Sequence, residues 1–348
     1  MFFIDKYNPK NINDTFFNKN ILKQLEVMSK DGDVPNIIFY GPDGSGKSTV
    51  IRLFLEMIYD KDINKVSEVI YNVTGSGNIT TEIKIKQSNY HIIIEPNNNN
   101  FDRYLVQDVV KEYAKRIPIN IFKTHIKFRT VLINDIQKLS YYAQTSLRRT
   151  MEKYSSNCRF ILCSSSLSKV LDPLRSRCNI FNIHRPSDLE LIEYLLYVSM
   201  KENINLELKD LVKIDHISDG NIKDSLWILE NKKNHISYNN SYNNAIKEIV
   251  NILKNKNIDY LEDIIDLFYK ILITNIPGSK IIKDITVKLL ECKDISEISK
   301  LHIITISSKY ESRLIKGRRE IIHLQPFICA VFHILKSYEN SNIERKQQ

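Results

Sequence analysis

The stretch from Gly41 to Ser48 constrains the fold of this chain more than any other part of the sequence does. Its eight residues read Gly-Pro-Asp-Gly-Ser-Gly-Lys-Ser and fit the pattern GxxxxGK[ST] at every position. The glycines allow a tight turn in which backbone N–H groups point at a phosphate, and the following helix adds its positive N-terminal end. The motif therefore predicts a phosphate cradle that lies between a strand and a helix.

The flanking residues agree with that prediction. Asn36–Tyr40 is a short apolar run that predicts a buried strand, and apolar residues then recur at the spacing of one helix face. In such a loop Lys47 is expected to reach the β- and γ-phosphates and Ser48 to ligate magnesium. A glycine-rich turn that matches by chance is the alternative. The predicted nucleotide-binding residues are Gly41, Pro42, Asp43, Gly44, Ser45, Gly46, Lys47, Ser48 and Thr49.

Strand and helix patterns alternate as far as Ile183, which predicts an α/β fold with a mainly parallel sheet covered on both faces. Two helices are predicted over 102–115 and 141–154. The further strand candidates are His91–Glu95, Arg129–Asn134, Phe160–Cys163 and Asn179–Ile183.

After Pro186 only helical patterns remain. Ser187 and Glu190 have the spacing of a capping box at a helix N-terminus. The Asn-rich stretch 231–244 contains few core-forming residues and is typical of a linker. Amphipathic helices are expected again over 246–338.

Composition limits the compartments and binding partners that are expected for this chain. No apolar run reaches the roughly 18 residues that a membrane-spanning helix needs, and the N-terminus lacks a secretion-signal pattern. Five cysteines with no CxxC pair argue against a zinc site and favour a reducing intracellular compartment. The net charge of +9 is compatible with a nucleic-acid partner, but a general enrichment in lysine explains it equally well.

A second acidic strand end is expected in a P-loop ATPase, and here it is altered. The strand Val131–Ile133 is followed by Asn134 and Asp135. Asn134 offers an amide oxygen to magnesium but no charge, and Asp135 is one methylene shorter than the glutamate that activates water in one large class. Small misplacements of such groups cost orders of magnitude in rate. Asp135 is therefore either a weak catalytic residue or only the cap of the next helix.

Three further stretches, with the P-loop, indicate a family. They are Asp5–Pro9, Ala143–Tyr154 (Ala-Gln-Thr-Ser-Leu-Arg-Arg-Thr-Met-Glu-Lys-Tyr) and Pro173–Cys178 (Pro-Leu-Arg-Ser-Arg-Cys). In this order and spacing the chain closely resembles the small subunits of eukaryotic replication factor C, nearly end to end. Ser88–His91 and Tyr310–Leu314 look most like the small subunit at the end of the spiral, whose own ATP site is degenerate.

The resemblance implies an AAA+ fold with four parts. These are a P-loop domain over 1–184, a helical lid over 185–232, an Asn-rich linker over 233–245 and a helical collar over 246–340. It also implies a hetero-pentamer that binds ATP or ADP with magnesium and loads a sliding clamp onto primer–template DNA. No membrane partner is expected. The compartment is nuclear for a cellular protein, or the host cytoplasm for some viral ones.

Several site residues follow from the resemblance. Arg177 matches the arginine of the Ser-Arg-Cys motif, which acts in trans on the γ-phosphate held by a neighbouring subunit; a surface salt bridge is the alternative. Tyr7 is expected to contact the nucleotide. Ser165 stands where the family has a sensing asparagine, and Lys223 where it has a sensing arginine. Asn8 replaces the usual arginine. These departures weaken the case for hydrolysis at this chain's own site and leave the case for nucleotide binding intact.

Helix 102–115 has two possible roles. Gln107, Val110 and Tyr113 have the spacing of a motif with which proteins dock on sliding clamps, and the family uses this helix for clamp contact. The same apolar residues also form an ordinary amphipathic stripe that a core would use. Arg103 matches a position that faces DNA phosphate in related subunits, where it follows the backbone rather than the base sequence.

Three functions therefore stand as hypotheses. The leading one is a clamp-loader subunit that binds nucleotide, supplies an arginine to its neighbour and hydrolyses ATP weakly. The second is a fully active clamp-loader ATPase. The third is a small-molecule P-loop kinase, which the Ser-Arg-Cys motif and the C-terminal helices disfavour.

Overall fold

The structure is a computed structural model and divides the chain into two compact units, Met1–Ser237 and Tyr238–Gln348. It describes residues 1–32, 34–59, 61–74, 80–96, 102–115, 128–234, 236, 241–255, 260–274, 276–292, 295–317 and 319–346.

A seven-stranded sheet forms the centre of the first unit. Its strands are β1 (Ile37–Tyr40), β2 (Ser67–Thr74), β3 (Thr80–Gln87), β4 (His91–Ile94), β5 (Arg129–Ile133), β6 (Cys158–Ser164) and β7 (Asn179–Asn182). They lie in the order β2-β3-β4-β5-β6-β1-β7. The five strands from β4 to β7 in that order are parallel, while β2, β3 and β4 pair in antiparallel fashion. The predicted α/β fold with a mainly parallel sheet is confirmed.

Both faces of the parallel part are buried. Ile37 and Phe39 of β1 belong to one core cluster and Ile38 to another, because successive side chains of a strand point to opposite faces. Helix α2 (Lys19–Asp31) and helix α3 (Lys47–Tyr59) contribute to the first cluster, and α6 (Tyr141–Lys153) to the second. This burial explains why the parallel strands read as continuous apolar runs.

The hairpin of β2 and β3 was not predicted from the sequence. The two strands pair along their full length, from Ser67 opposite Gln87 to Thr74 opposite Thr80. Most of their described side chains are exposed, and Val73 and Ile85 are the buried ones among them. A strand pair at a sheet edge that faces solvent carries only a weak hydrophobic signal.

The region predicted as helix 102–115 is helical but not uniformly α-helical. It begins with α4 (Asp102–Tyr104), continues as a π-helical segment (Leu105–Val110) and ends with α5 (Lys111–Lys115). Four buried side chains of the π-helical segment join the core on one face of the sheet. They are Leu105, Val106, Val109 and Val110.

The first unit ends in helices α8 (Asp188–Lys201), α9 (Leu208–Ser218) and α10 (Ile222–Lys233), which we call the lid. The capping box is present, because Ser187 Oγ accepts from the Glu190 backbone N–H and Glu190 accepts from that of Ser187. Two short helices, α1 (Phe3–Lys6) and α7 (Asp172–Arg175), complete this unit. Of the predicted linker 233–245, residues 235 and 237–240 lie outside the described residues.

The second unit is helical throughout its described residues. Its helices are α11 (Ser241–Asn255), α12 (Leu261–Ile273), α13 (Gly278–Leu290), α14 (Glu297–Lys316) and α15 (Ile321–Lys346). Ile249, Phe268, Ile285 and Phe327 are fully buried in its core. Among the described residues, no helix has the length and apolar character needed to cross a membrane.

Candidate nucleotide-binding site

The GxxxxGK[ST] loop joins β1 to α3. Gly44 and Gly46 adopt φ values of +80° and +91°, which side chains other than glycine rarely tolerate. Helix α3 begins at Lys47, and the Gly46 carbonyl accepts from the Val50 backbone N–H at 3.0 Å. The loop is also held to the sheet, since the Gly41 N–H donates to the Ser164 carbonyl at 3.2 Å. The turn that the motif predicts is therefore formed, with a helix N-terminus directly behind it.

Two side chains of this loop are suited to an anion. Lys47 Nζ donates to the carbonyls of Gly41 and Pro42 at 2.6 and 2.9 Å, and the side chain is only 10% exposed. The Ser45 hydroxyl is buried and has no hydrogen-bond partner among the described residues. Buried polar groups are almost always hydrogen-bonded, so an orphan hydroxyl inside a phosphate-type loop indicates a ligand position. The residues present therefore fit a polyphosphate group.

A cavity of about 310 Å³ lies beside the loop. Its walls come from residues 4, 7–9 and 15–18, the start of α2, the loop itself, α3 and the lid. The lining is mostly apolar and includes Ile4, Phe17, Leu22, Ile222 and Leu226. Small-molecule sites are concave and largely apolar with a few polar groups, so this cavity can take a flat ring next to a bound phosphate chain.

Three predicted nucleotide-binding residues outside the loop have distinct surroundings. Tyr7 and Lys223 both line the cavity, which brings the N-terminal segment and the lid to the same place as the P-loop. Ser165 instead lies at the end of β6, where its backbone N–H donates to Gln137 Oε1 at 3.3 Å.

The lid contacts the P-loop directly. Asn221 caps α10 by accepting from the Lys223 backbone N–H at 3.0 Å, and the Ile222 N–H reaches the Gly44 carbonyl at 3.3 Å. A Cβ atom added to Gly44 would lie 2.1 Å from Asn221 Oδ1. Glycine at this position is therefore required both by its positive φ and by the close approach of the lid.

The Asp135 carboxylate, just after β5, is already hydrogen-bonded to side chains near it in the sequence. Asp135 has a left-handed backbone with φ +48°, and its carboxylate accepts from Lys138 Nζ at 2.8 Å and Gln137 Nε2 at 3.1 Å. Gln137 Oε1 in turn accepts from Ser164 Oγ at 3.0 Å. Asp135 precedes a 3-10 turn (Ile136–Lys138), but its side chain makes no capping hydrogen bond. Asp135 thus stands at the cap position, but its carboxylate does not bond as a helix cap. Asn134, the residue before it, directly follows β5 and is half-buried.

Arg177 lies on the surface between α7 and β7 and is not part of the cavity wall. Its guanidinium donates to the Pro173 carbonyl at 2.7 Å and pairs with Glu152 at 2.7 Å. The hydrogen bond from Arg148 and the charge of Arg177 lower the pKa of Glu152. In the isolated chain, Arg177 makes the salt bridge that the sequence left open as an alternative.

The residues suggested for clamp contact divide between surface and core. Val110 and Tyr113 are buried, as the amphipathic alternative predicts, and Gln107 is half-buried in the π-helical segment. Clamp contact through Val110 and Tyr113 therefore disagrees with this structure, because both side chains already pack in the core. Arg103 is exposed, and its guanidinium carbon lies 5.9 Å from the ring centre of Tyr142.

Sequence reasoning missed two glutamates of the lid. Glu202 accepts hydrogen bonds from Lys6 Nζ and Tyr7 OH, and Glu230 accepts from the Phe3 backbone N–H at 3.1 Å. The partners are about two hundred residues apart in the chain, so no local pattern could have indicated these contacts.

Two family models match the chain. "Replication factor C subunit 3, C-terminal domain" matches residues 242–339, and "DNA polymerase III, delta subunit" matches residues 17–187.

Full-length relatives agree with these matches. The chain is 39% identical to a putative replication factor C small subunit of Acanthamoeba polyphaga mimivirus, over 100% of this chain and 95% of the relative. It is 32% identical to replication factor C subunit 5 of Oryza sativa, with 97% and 98% covered. It is also 32% identical to replication factor C subunit 5 of Saccharomyces cerevisiae, with 94% and 98% covered.

Proposed function

The chain belongs to the replication factor C small-subunit family, and we propose that it binds ATP as one subunit of a pentameric clamp loader. The observation that carries the proposal is the complete phosphate loop, with its orphan Ser45 hydroxyl, beside an apolar cavity that the lid and N-terminal segment close. In this proposal Lys47 exchanges its two backbone carbonyl partners for β- and γ-phosphate oxygens. Ser48 ligates magnesium, which neutralises phosphate charge when bound.

We further propose that this subunit hydrolyses ATP weakly. The Asp135 carboxylate is already paired with Lys138 and Gln137, and Asn134 brings no charge to a metal ion. Ser165 and Lys223 replace longer or forked sensing groups. Each of these features affects turnover more than affinity, so the nucleotide would act mainly as a structural ligand.

Arg177 is proposed to act in trans on a neighbouring subunit's nucleotide. Its exposure supports this role, as does its position outside the wall of this chain's own cavity. A guanidinium suits the role because it stays charged and offers forked donors to phosphate oxygens. To reach a neighbour, Arg177 has to leave Glu152.

The remaining assignments are also proposals. The assembled complex would load a sliding clamp onto primer–template DNA in the nucleus or at a viral replication site, and Arg103 would contact DNA phosphate. Gln107 is the remaining candidate for clamp contact in the π-helical segment. In this proposal residues 185–232 form the lid, residues 233–245 a linker, and residues 246–340 a collar that joins the subunits.

Two other functions are distinguishable by experiment. A fully active ATPase would require Asp135 to leave Lys138 and Gln137, and a small-molecule kinase would respond to an acceptor instead of to DNA and clamp. The assay is co-expression with candidate clamp-loader subunits, followed by size exclusion, identification of bound nucleotide and measurement of ATP turnover with DNA and clamp.

We expect the full chain to enter a pentamer with bound adenine nucleotide. A chain that ends at Ser237, the last residue of the first compact unit, should keep nucleotide binding but fail to assemble. Turnover stimulated by a small acceptor, or normal assembly of the truncated chain, would contradict the respective part of the proposal.

A further inference from the structure

Residues Phe2–Tyr7, which we call the strap, are bound by the lid. Phe3 is buried, its backbone N–H donates to Glu230 Oε2 at 3.1 Å, and the ring of Phe2 lies 5.1 Å from that of Trp227. Glu230 and Trp227 both belong to α10. The strap therefore docks on the lid, although more than two hundred residues separate the contacting positions in sequence.

The far end of the strap is held by one carboxylate. Glu202 Oε1 accepts from Lys6 Nζ and Tyr7 OH, each at 2.5 Å, and Oε2 accepts from Lys233 Nζ at 2.5 Å. The Glu202 side chain is only 5% exposed. Hydrogen bonds from Lys233, Lys6 and Tyr7 lower the pKa of Glu202 to about 2, so the carboxylate stays charged at neutral pH.

This arrangement matters for the cavity beside the P-loop because Tyr7 is part of the cavity wall. Glu202 itself does not line that cavity. The other contact of Tyr7 with the lid is weaker, since Tyr194 OH reaches the Tyr7 carbonyl at 3.5 Å. Among the described residues, Glu202 therefore makes the shorter of the two hydrogen bonds that join Tyr7 to the lid.

We propose that Glu202 is a positioning residue that fixes Tyr7 and the strap on the lid, so that the base of a bound nucleotide meets a preformed wall. This inference rests on the proposed function and adds to it how the site holds the base. A preformed wall removes ordering cost from binding, so its loss weakens the ligand that uses the wall. The phosphates contact the P-loop and not the strap, and their binding does not depend on Glu202.

The test is Glu202→Gln in the full chain, with Tyr7→Phe as a milder second variant that removes one donor. The matched control is Glu193→Gln, an exposed glutamate on helix α8, which ends one residue before Glu202. Three quantities are measured: the Kd for ATP, the Kd for inorganic tripolyphosphate, which has no base, and the thermal midpoint without ligand. Tripolyphosphate separates the cavity wall from the P-loop.

We expect Glu202→Gln to weaken ATP binding about tenfold, which corresponds to about 1.4 kcal/mol. Tyr7→Phe should weaken it by about threefold, since Lys6 and Lys233 still hold Glu202 in place. Tripolyphosphate affinity should change less than twofold in both variants, and Glu193→Gln should match the wild type. A faster release of bound nucleotide from Glu202→Gln should account for most of the loss.

Other outcomes overturn the inference in recognisable ways. Unchanged ATP affinity in both variants means that Tyr7 does not need Glu202. Equal losses for ATP and tripolyphosphate mean that Glu202 acts through the general fold. If Glu202→Gln does not fold, Tyr7→Phe decides between these results. A wild-type chain that binds neither ligand refutes the proposed function itself, and the inference with it.

Discussion

The two halves of the candidate site lie at the ends of β1 and β5, with β6 between these strands, and they differ in how their side chains are engaged. In the phosphate-binding half (Gly41–Thr49), Lys47 donates to two backbone carbonyls and lies 3.4 Å from the exposed Asp43 carboxylate, while Ser45 Oγ has no hydrogen-bond partner among the described residues. In the hydrolysis half (Asn134–Gln137), the Asp135 carboxylate is bound by Lys138 and by Gln137, which also accepts from Ser164. The Ser45 hydroxyl of the first half is thus available to a ligand, whereas the Asp135 carboxylate of the second half is already bound by neighbouring side chains.

Under the proposed function, nucleotide binding and turnover depend on separate side chains of the same sheet. Both halves are held by the same strands, since β6 pairs with β1 on one side and β5 on the other. The scaffold is therefore intact on both sides, and the contrast arises from a few side chains at the strand ends. Four experiments test how far the contrast holds.

The largest effect is expected from Arg177→Ala, because it removes a cation from another subunit's reaction. Hydrolysis at that neighbouring site should fall by about 10³-fold, within the range for arginines supplied in trans. The affinity of this chain for ATP should stay unchanged. The measurement is DNA- and clamp-stimulated turnover in a complex whose other sites carry P-loop lysine substitutions.

Arg148→Ala is the control, since Arg148 pairs with the same Glu152 at 3.1 Å but lies outside the Ser-Arg-Cys motif. Equal losses in both variants would mean that the Glu152 network, and not an arginine in trans, sets the rate.

Lys47→Ala should abolish most of the function of the phosphate-binding half. We expect ATP affinity to fall at least about 100-fold, because the paired cation at the β- and γ-phosphates is lost. Equilibrium titration measures this, and Lys30→Ala, a surface lysine of α2, serves as the control. ATP affinity that survives Lys47→Ala would remove the basis for the comparison of the two halves.

The first unit is expected to lose stability in acid because of a buried histidine on β4, the strand beside β5. His91 on β4 pairs with Thr130 on β5, is buried and lies 2.7 Å from Ser88 Oγ through Nδ1. Burial lowers the pKa of His91 from 6.5 to about 4. The unfolded chain therefore takes up a proton first, and the stability that His91 contributes is lost as pH falls from about 6.5 towards 4.

At pH 5 the loss amounts to about 2 kcal/mol relative to pH 7. Denaturant unfolding of the first unit at the two pH values measures it. His91→Gln should remove this part of the pH dependence, and the exposed His216→Gln should retain it. An identical pH response in wild type and His91→Gln would show that the buried imidazole is not the sensitive group.

The smallest effect is expected from Asn134→Ala. If the hydrolysis half contributes little, ATP affinity and the stimulated turnover of the complex should each change less than about twofold. DNA- and clamp-stimulated turnover, measured in a complex whose P-loop lysines are all intact, gives the result. Loss of turnover in Asn134→Ala together with normal turnover in Arg177→Ala would reverse the roles of the two halves.

The sequence was most informative where local pattern and packing coincide. The strand before the P-loop and the face of α3 were predicted because Ile37, Phe39, Val50, Leu53 and Phe54 are buried at regular spacing. The hairpin of β2 and β3 was missed because its exposed side chains leave no such pattern.

The site was predictable only in part for a related reason. A motif such as Gly41–Ser48 fixes its own geometry, so its residues could be named from the sequence. The contact of Glu202 with Tyr7 depends on how the lid folds back onto the N-terminus. The burial of Val110 and Tyr113 could be decided only once the packing partners of their helix were known.

The π-helical segment Leu105–Val110 has a consequence for how this chain is compared with its relatives. A π-turn bonds residue i to i+5, one residue more than the i to i+4 bond of an α-helix. It is therefore a point at which the chain can gain or lose one residue during evolution without breaking the helix. Each such event rotates every later side chain by about 100° around the axis. In a relative whose helix differs by one residue, surface residues matched by counting along α5 would face directions about 100° apart.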